Sequence, residues 1–155
     1  MKRYLPLVAL AAVAALAFPS AAAAQSGHFV GTQTCTDIGT QVQCNGKVAG
    51  LGGTTFTITV QAAGTATVEC ANPAGNVAPG QAFSFTAAGS SGPFATPRNG
   101  QAKYTVTTTA PSAPAGSCPN PKWTATVTDV AFTTTATITL FEDSTVSDSE
   151  TVPIS

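Results

Sequence analysis

Basic residues are scarce in this sequence, and their scarcity excludes one large class of function. After residue 24 only Lys47, Arg98, Lys103 and Lys122 remain, against seven acidic residues, which gives a net charge near −3. A nucleic-acid-binding domain needs a stripe or cluster of positive charge, and the order of these four residues along the chain provides none. We therefore expect no nucleic-acid partner.

Side chains that usually carry catalysis are equally rare. His28 is the single histidine. It would lie near the N-terminus of the chain that is left after the expected removal of residues 1–24, and such a segment is a poor place to hold the base of a Ser-His-Asp triad. A zinc site needs more ligands than one histidine and disulfide-bonded cysteines provide. The sequence predicts no catalytic residues, no metal site and no cofactor, and it favours a protein without enzymatic activity.

Paired carboxylates are the one catalytic arrangement that the composition leaves open. Many glycoside hydrolases act with two Asp or Glu side chains on either side of the scissile bond. The candidates here are Asp37, Glu69, Asp129, Glu142 and Asp143. A small secreted hydrolase is therefore one alternative function. We otherwise expect the acidic residues near the C-terminus to form a solvated, frayed end, with weak cation binding as the second interpretation.

No apolar run in the sequence reaches the roughly 20 residues that span a bilayer. The run at residues 5–18 follows Lys2 and Arg3 and is followed by a stretch of alanines that ends at Ala24. This order is typical of a secretory signal peptide. We expect cleavage after Ala24, so that residues 1–24 are the signal peptide and the mature protein is secreted without a stable membrane anchor.

The remaining residues, 25–155, suit a single domain. All four cysteines lie in it: Cys35, Cys44, Cys70 and Cys118. An even number of cysteines in an exported chain implies disulfides, and the lack of a Cys-x-x-Cys pair disfavours a zinc ribbon or a redox site.

Two-residue alternation of apolar and polar side chains dominates this domain. Residues 55–60 read Thr-Phe-Thr-Ile-Thr-Val, which predicts a half-buried strand. The same pattern recurs at residues 65–70, 81–85, 103–107, 122–128 and 135–140. Helical spacing is missing throughout, so we predict an all-β, immunoglobulin-like antiparallel β-sandwich of about eight strands with two disulfides.

The alternation also predicts which side chains form the core. These are Phe56, Ile58, Val60, Val68, Phe83, Phe85, Tyr104, Val106, Trp123, Val127, Ile138 and Leu140. Trp123 and Val127 stand at odd positions, whereas Ile138 and Leu140 stand at even ones. A bulge or turn between residues 129 and 134 is needed to bring all four to one face.

Turn residues predict two hairpins. A Gly39-Thr40 loop suits a type II′ turn and places Cys35 opposite Cys44, close enough for a disulfide. By elimination, Cys70 then bonds Cys118. The second predicted hairpin has a three-residue loop at residues 62–64, which joins residues 55–60 to residues 65–70.

The two loops that follow Cys70 and Cys118 are the candidate binding surface. Both contain Asn-Pro, and loops held by a rigid scaffold often carry function. The candidate residues are Asn72, Pro73, Gly75, Asn76, Pro119, Asn120 and Pro121.

Residues 70–81 read Cys-Ala-Asn-Pro-Ala-Gly-Asn-Val-Ala-Pro-Gly-Gln. This Cys-x-Asn-Pro-x-Gly-Asn-x-x-Pro-Gly-Gln motif resembles that of a group of small exported bacterial proteins, actinobacterial in composition. These proteins have no assigned activity, so the resemblance implies export alone. The overall plan is also similar to that of the enediyne-binding apoproteins, which are exported immunoglobulin-like sandwiches with two disulfides. Their second cysteine pair is close in sequence, unlike Cys70 and Cys118, so the similarity does not imply a chromophore pocket.

The sequence therefore favours a secreted, non-enzymatic β-sandwich protein with a structural or binding role at the cell exterior. Its partner is expected to be an extracellular ligand or a cell-surface component. Besides the hydrolase, the second alternative is a secreted inhibitor or other partner-binding protein. An exposed apolar patch around Phe94 and the Pro-rich loops would favour that alternative.

Overall fold

The computed structural model describes residues 26–155, and this part of the chain contains eight β-strands and no helix. The predicted signal peptide and its cleavage point lie outside the described residues. The strands are β1 (His28–Asp37), β2 (Val42–Ala49), β3 (Thr55–Ala71), β4 (Val77–Pro79), β5 (Phe83–Ala95), β6 (Ala102–Thr107), β7 (Thr124–Glu142) and β8 (Thr145–Pro153).

The strands form two antiparallel sheets that pack face to face, as predicted. The smaller sheet has the order β1-β2-β6, and the larger sheet follows the path β4-β3-β7-β8. β5 also pairs with β3, along the same edge of β3 as β4. The two strands can share this edge because β5 pairs with residues 55–66 of β3 and β4 pairs with residues 69–71. β3 is therefore the central strand, and side chains of both sheets share one core cluster.

The first predicted hairpin is confirmed in its register and its disulfide. Cys35 lies opposite Cys44, their α-carbons are 4.1 Å apart, and the two are bonded. The Ile38 N–H donates to the Gln41 carbonyl at 2.9 Å, and Gly39 has a φ of +97°, which glycine adopts without steric cost. The second predicted disulfide, Cys70–Cys118, is also present.

The second predicted hairpin is wrong, because β3 runs without a turn for 17 residues. Its inward-facing positions stay buried on both sides of the expected loop and through it, so the alternation fits a continuous strand as well as a hairpin. Gly64 is required for a different reason: a Cβ there would lie 2.9 Å from the Ala131 carbonyl oxygen and 3.0 Å from the Phe85 ring. It permits close packing of neighbouring strands rather than a turn.

The change of parity along β7 is confirmed as a bulge. Opposite the neighbouring residues Thr67 and Val68, β7 places Asp129 and Val127, so Thr128 is an extra residue. This one-residue insertion, one position before the predicted stretch 129–134, moves the later apolar side chains of β7 onto the face that Val127 occupies. A second irregularity, between the pairs Gly64–Phe132 and Ala62–Ala136, adds two residues to β7 and leaves the parity unchanged. The two segments predicted as separate strands, 122–128 and 135–140, thus belong to one strand.

Eight of the twelve predicted core residues are buried, and Phe83, Phe85, Trp123 and Val127 are half-buried. The reason is the unequal size of the sheets. The core shared by both sheets uses residues 56–62 of β3, so the smaller sheet covers only part of the larger one. The four half-buried residues lie on or next to the remaining part.

Residues 109–118, which we call the strap, cover this remaining part of the larger sheet. The strap begins where the Thr109 N–H donates to the Ala88 carbonyl at 2.9 Å. It ends where the Ser117 carbonyl accepts the Gln81 N–H at 2.9 Å and Cys118 is bonded to Cys70. The strap thereby shields the inward face of β3 near Cys70, which the smaller sheet does not cover.

We predict that Gly64→Val destabilises the protein by about 1–3 kcal/mol, because the added methyl groups collide with backbone and ring atoms that cannot both move away. Ala63→Val is the matched control, since Ala63 is exposed on the opposite face, and it should change stability by less than about 0.5 kcal/mol. Urea unfolding measures both. Equal stability of the two variants would show that the strands do not approach closely at Gly64.

Candidate functional site

A groove of about 370 Å³ opens between the strap and the beginning of β7. Ala113, Pro114 and Ser117 line it from the strap, and Pro121 and Trp123 line it from the segment that leads into β7. We call it the Trp123 groove. Its volume lies at the lower end of the range for small-molecule sites.

The walls of the Trp123 groove are fixed by local hydrogen bonds. The Ser117 hydroxyl donates to the Pro114 carbonyl at 2.8 Å. On the other wall, the backbone N–H of Trp123 donates to the Asn120 carbonyl at 3.0 Å. The Asn120 side-chain oxygen accepts the backbone N–H of Lys122 at 2.9 Å. Together with the disulfide at Cys118, these bonds hold the groove open in one shape, as expected of a preformed site.

The chemistry of the groove is that of a binding site. Every side chain that lines it is uncharged, and the largest is the half-buried indole of Trp123. Such a lining provides apolar contact and a flat aromatic face. It provides no group that exchanges a proton near neutral pH, so acid-base catalysis by its lining residues is not supported.

The structure brings both predicted binding loops to the same end of the larger sheet, because Ala71 at the end of β3 lies opposite Thr124 at the start of β7. Only the second loop contributes to the groove, through Asn120 and Pro121. In the first loop the Asn72 side chain accepts the N–H groups of Ala74 at 3.0 Å and Asn76 at 2.8 Å.

Four more of the candidate residues lie in the turn at residues 72–76 or directly after Cys118. Gly75 adopts a φ of +85°, Pro73 and Asn76 are exposed in the same turn, and Pro119 follows Cys118 on the surface. The first loop is therefore a self-contained turn whose Asn side chain is engaged with its own backbone.

The strap is the part of the site that the loop motifs did not predict. The available signal was compositional: residues 105–121 contain no charged side chain and are rich in Pro, Ala, Ser and Thr. Such a stretch has no alternation with which to predict a strand. Its packing against the sheet depends on a cysteine pair 48 residues apart.

Glu142 is a buried structural carboxylate at 0% exposure. One oxygen accepts the N–H groups of Gly52 at 2.7 Å and Gly53 at 3.0 Å. The other accepts the Gly27 N–H at 2.9 Å and the Ser147 hydroxyl at 2.7 Å. Burial alone raises the pKa of Glu142, but the four hydrogen bonds outweigh it, the Ser147 bond first, and the pKa lies below its ordinary value.

Asp143 is engaged in the same way on the surface. Its carboxylate accepts the Thr54 hydroxyl at 2.6 Å and the N–H groups of Thr54 and Thr55, and these bonds, the hydroxyl first, hold its pKa well below the ordinary range. The expectation of a frayed acidic end is wrong, because β8 pairs with β7 along its length. Asp148, on β8, accepts the Phe29 N–H at 2.9 Å. Glu142 and Asp148 thus join this hairpin to the start of the domain, and Asp143 joins it to the start of β3.

Because Glu142 and Asp143 are engaged in hydrogen bonds, the candidates that remain for a hydrolytic carboxylate pair are Glu69 and Asp129. Both are exposed on the outer face of the larger sheet, and Asp129 lies opposite Thr67, two residues from Glu69. Asp37 is distant from them, since it accepts the Gly39 N–H in the first hairpin. Across residues 26–155, no group of three or more His, Cys, Asp or Glu side chains is placed to hold a metal ion.

The two remaining candidates, His28 and Phe94, do not form a site. His28 is exposed, with its Nδ1 2.8 Å from the Ser26 carbonyl oxygen. Phe94 is 48% exposed, and its ring lies 5.6 Å from that of Phe56. One half-exposed ring against a core phenylalanine is a smaller feature than the apolar patch that would favour an inhibitor.

Comparison with protein-family models, with curated proteins and with solved structures found no match. In the part of the chain that the structure describes, no helix is long and apolar enough to cross a membrane. The two disulfides indicate an oxidising compartment. Function must therefore be inferred from the residues of this chain.

We predict that Glu142→Gln destabilises the protein by about 2–4 kcal/mol at neutral pH, because a charged acceptor is lost and the amide group faces N–H donors. The folded-state pKa lies below the unfolded value of about 4.3, so the stabilisation is complete above about pH 5 and is lost as the pH falls through the folded-state pKa. The variant should therefore show a flatter dependence of stability on pH.

Glu69→Gln is the matched control, since Glu69 is exposed, and it should stay within about 0.5 kcal/mol of the wild type. Guanidinium unfolding at a series of pH values measures both variants. If Glu142→Gln has the stability and pH profile of Glu69→Gln, the buried carboxylate does not hold the termini together.

Proposed function

We propose that this protein is an exported, non-enzymatic binding module that takes an uncharged ring, such as a sugar unit, into the Trp123 groove. One observation carries the proposal: a half-buried indole lines an uncharged groove whose walls are fixed by a disulfide and by hydrogen bonds. A rigid scaffold lowers the entropic cost of binding.

The ligand class follows from the shape and charge of the groove. An indole offers a flat apolar face, and stacking of a ring on an aromatic side chain contributes about 1–3 kcal/mol in the well-studied case of nucleobases. The volume of about 370 Å³ admits one or two sugar rings but no folded partner. With no charged side chain in the lining, a charged ligand would lose its hydration without compensation.

Export and the binding role support each other. The apolar segment at residues 5–18, preceded by two basic residues, favours secretion, and the two disulfides suit the same destination. Two antiparallel sheets with loops at the strand ends are also the layout in which immunoglobulin-like domains carry their binding loops.

The test uses the fact that Trp123 is the only tryptophan, so tryptophan fluorescence reports on the groove alone. Titration of the mature protein with chitotriose or cellobiose should give a saturable change in emission. By calorimetry, Trp123→Ala should weaken binding at least about tenfold, the equivalent of about 1.4 kcal/mol. Phe94→Ala removes an exposed ring elsewhere and is the matched control, which should bind as the wild type does.

Two results would contradict the proposal. One is the absence of both an emission change and binding heat with these sugars while the protein is folded. The other is an equal loss of binding in Trp123→Ala and Phe94→Ala. Cleavage of the oligosaccharides by the wild type, abolished in Glu69→Gln, would instead support the carboxylate hydrolase.

A further inference from the structure

The outer face of the smaller sheet carries a pair of like charges. Lys47 on β2 lies directly opposite Lys103 on β6, and both side chains are exposed. Directly opposed residues of antiparallel strands have Cβ atoms about 4.5–5.5 Å apart, and like charges in that position destabilise a sheet. The Lys47–Lys103 pairing therefore lowers the stability of the smaller sheet, and the fold does not require it.

The composition of this face does not offset the repulsion. Its remaining positions on the three strands carry no carboxylate: His28, Val30, Thr34, Thr36, Gln43, Asn45, Ala49, Thr105 and Thr107. Of the acidic residues near its borders, Asp148 accepts the Phe29 N–H and Asp37 accepts the Gly39 N–H. Glu150 on β8 is near enough to Tyr104 of β6 to act on its hydroxyl.

The outer faces of the two sheets differ in charge. Arg98 lies in the exposed turn at residues 97–100 that leads into β6, so three of the four basic residues in 26–155 lie on or beside the smaller sheet. The acidic side chains of Glu69 and Asp129 are on the outer face of the larger sheet. The outer face of the smaller sheet therefore carries Lys47 and Lys103 and no carboxylate, with Asp37 and Asp148 at its borders.

The neighbouring rows of side chains indicate what kind of anion fits. Beside the lysines, the Thr105 hydroxyl donates to the Asn45 side chain at 2.8 Å. One row further, the Gln43 amide donates to the Thr107 hydroxyl at 3.2 Å. Hydroxyl and amide groups suit the hydroxyls of sugars. The face has no Phe, Tyr or Trp side chain on which a nucleobase could stack and no large apolar group to enter a lipid surface.

We propose that this face, the Lys47–Lys103 face, binds an acidic polysaccharide, with one anionic group of the polymer between the two ammonium groups. Binding neutralises the lysine repulsion, so the charge pair that destabilises the free sheet favours the complex. The inference goes beyond the proposed function and does not depend on the Trp123 groove.

The experiment measures the affinity of the mature protein for heparin, the sulfated polysaccharide used as a probe, with neutral dextran for comparison. Heparin should bind at low ionic strength and weaken as salt is added, and dextran should not bind. Lys47→Gln combined with Lys103→Gln should weaken heparin binding at least about tenfold. Lys122→Gln removes the same kind of charge beside the Trp123 groove and should change binding by less than about twofold.

A second measurement on the free protein reports on the cost of the pair. Lys103→Gln should raise Tm by about 1–4 °C, because it removes the repulsion, while Lys122→Gln should leave Tm unchanged. An unaltered or lower Tm in Lys103→Gln would contradict the stated cost.

Three binding results would overturn the proposal: no binding of the wild type to heparin at low salt, an equal loss in Lys122→Gln and in the double variant, or tighter binding to duplex DNA or to vesicles of anionic lipid than to heparin. Lys47→Arg combined with Lys103→Arg should retain binding, because the charges are kept. Its failure to bind would contradict recognition by charge.

Discussion

The Cys70–Cys118 disulfide is the constraint on which the candidate site depends. It closes a loop of 48 residues, worth about 4 kcal/mol in the chain-entropy model, and fixes the strap over the part of the larger sheet that the smaller sheet leaves uncovered. Between Thr109 and Ser117 the strap forms no strand, and its prolines cannot donate backbone hydrogen bonds. The covalent bond therefore does there what strand pairing does elsewhere in the fold.

The few charged residues divide into two roles. Glu142 and Asp143 accept backbone N–H groups from distant segments, which ties the end of β7 to Gly27, to Gly52 and to the start of β3. A carboxylate engaged in this way is unsuited to proton transfer with a substrate, since its partners stabilise the charged form. Lys47 and Lys103 are placed against each other instead. Acidic groups that accept backbone N–H bonds thus support the fold, and the two lysines remain available at the surface.

How far the sequence predicted the structure depends on how local each feature is. The Cys35–Cys44 hairpin was predictable because a two-residue turn sets its register within ten residues. The long strand was not, since alternation continues unchanged through Gly64 and only the packing of β5 and β7 distinguishes a strand from a hairpin. The pairing of β2 with β6 is equally non-local, so the sequence did not predict that Lys47 and Lys103 would meet. Both Asn-Pro segments lie in loops, as their sequence indicates, but the strap that completes the groove was not predicted.

The most direct test is amide hydrogen exchange in the wild type and in a variant that combines Cys70→Ser with Cys118→Ser. We predict that residues 109–123 exchange at least about tenfold faster in the variant, while peptides from β2 and β6 keep their protection and show that the smaller sheet is intact. Combining Cys35→Ser with Cys44→Ser should leave the strap protected. Unchanged exchange of residues 109–123 without the Cys70–Cys118 bond would contradict the claim that this disulfide forms the groove.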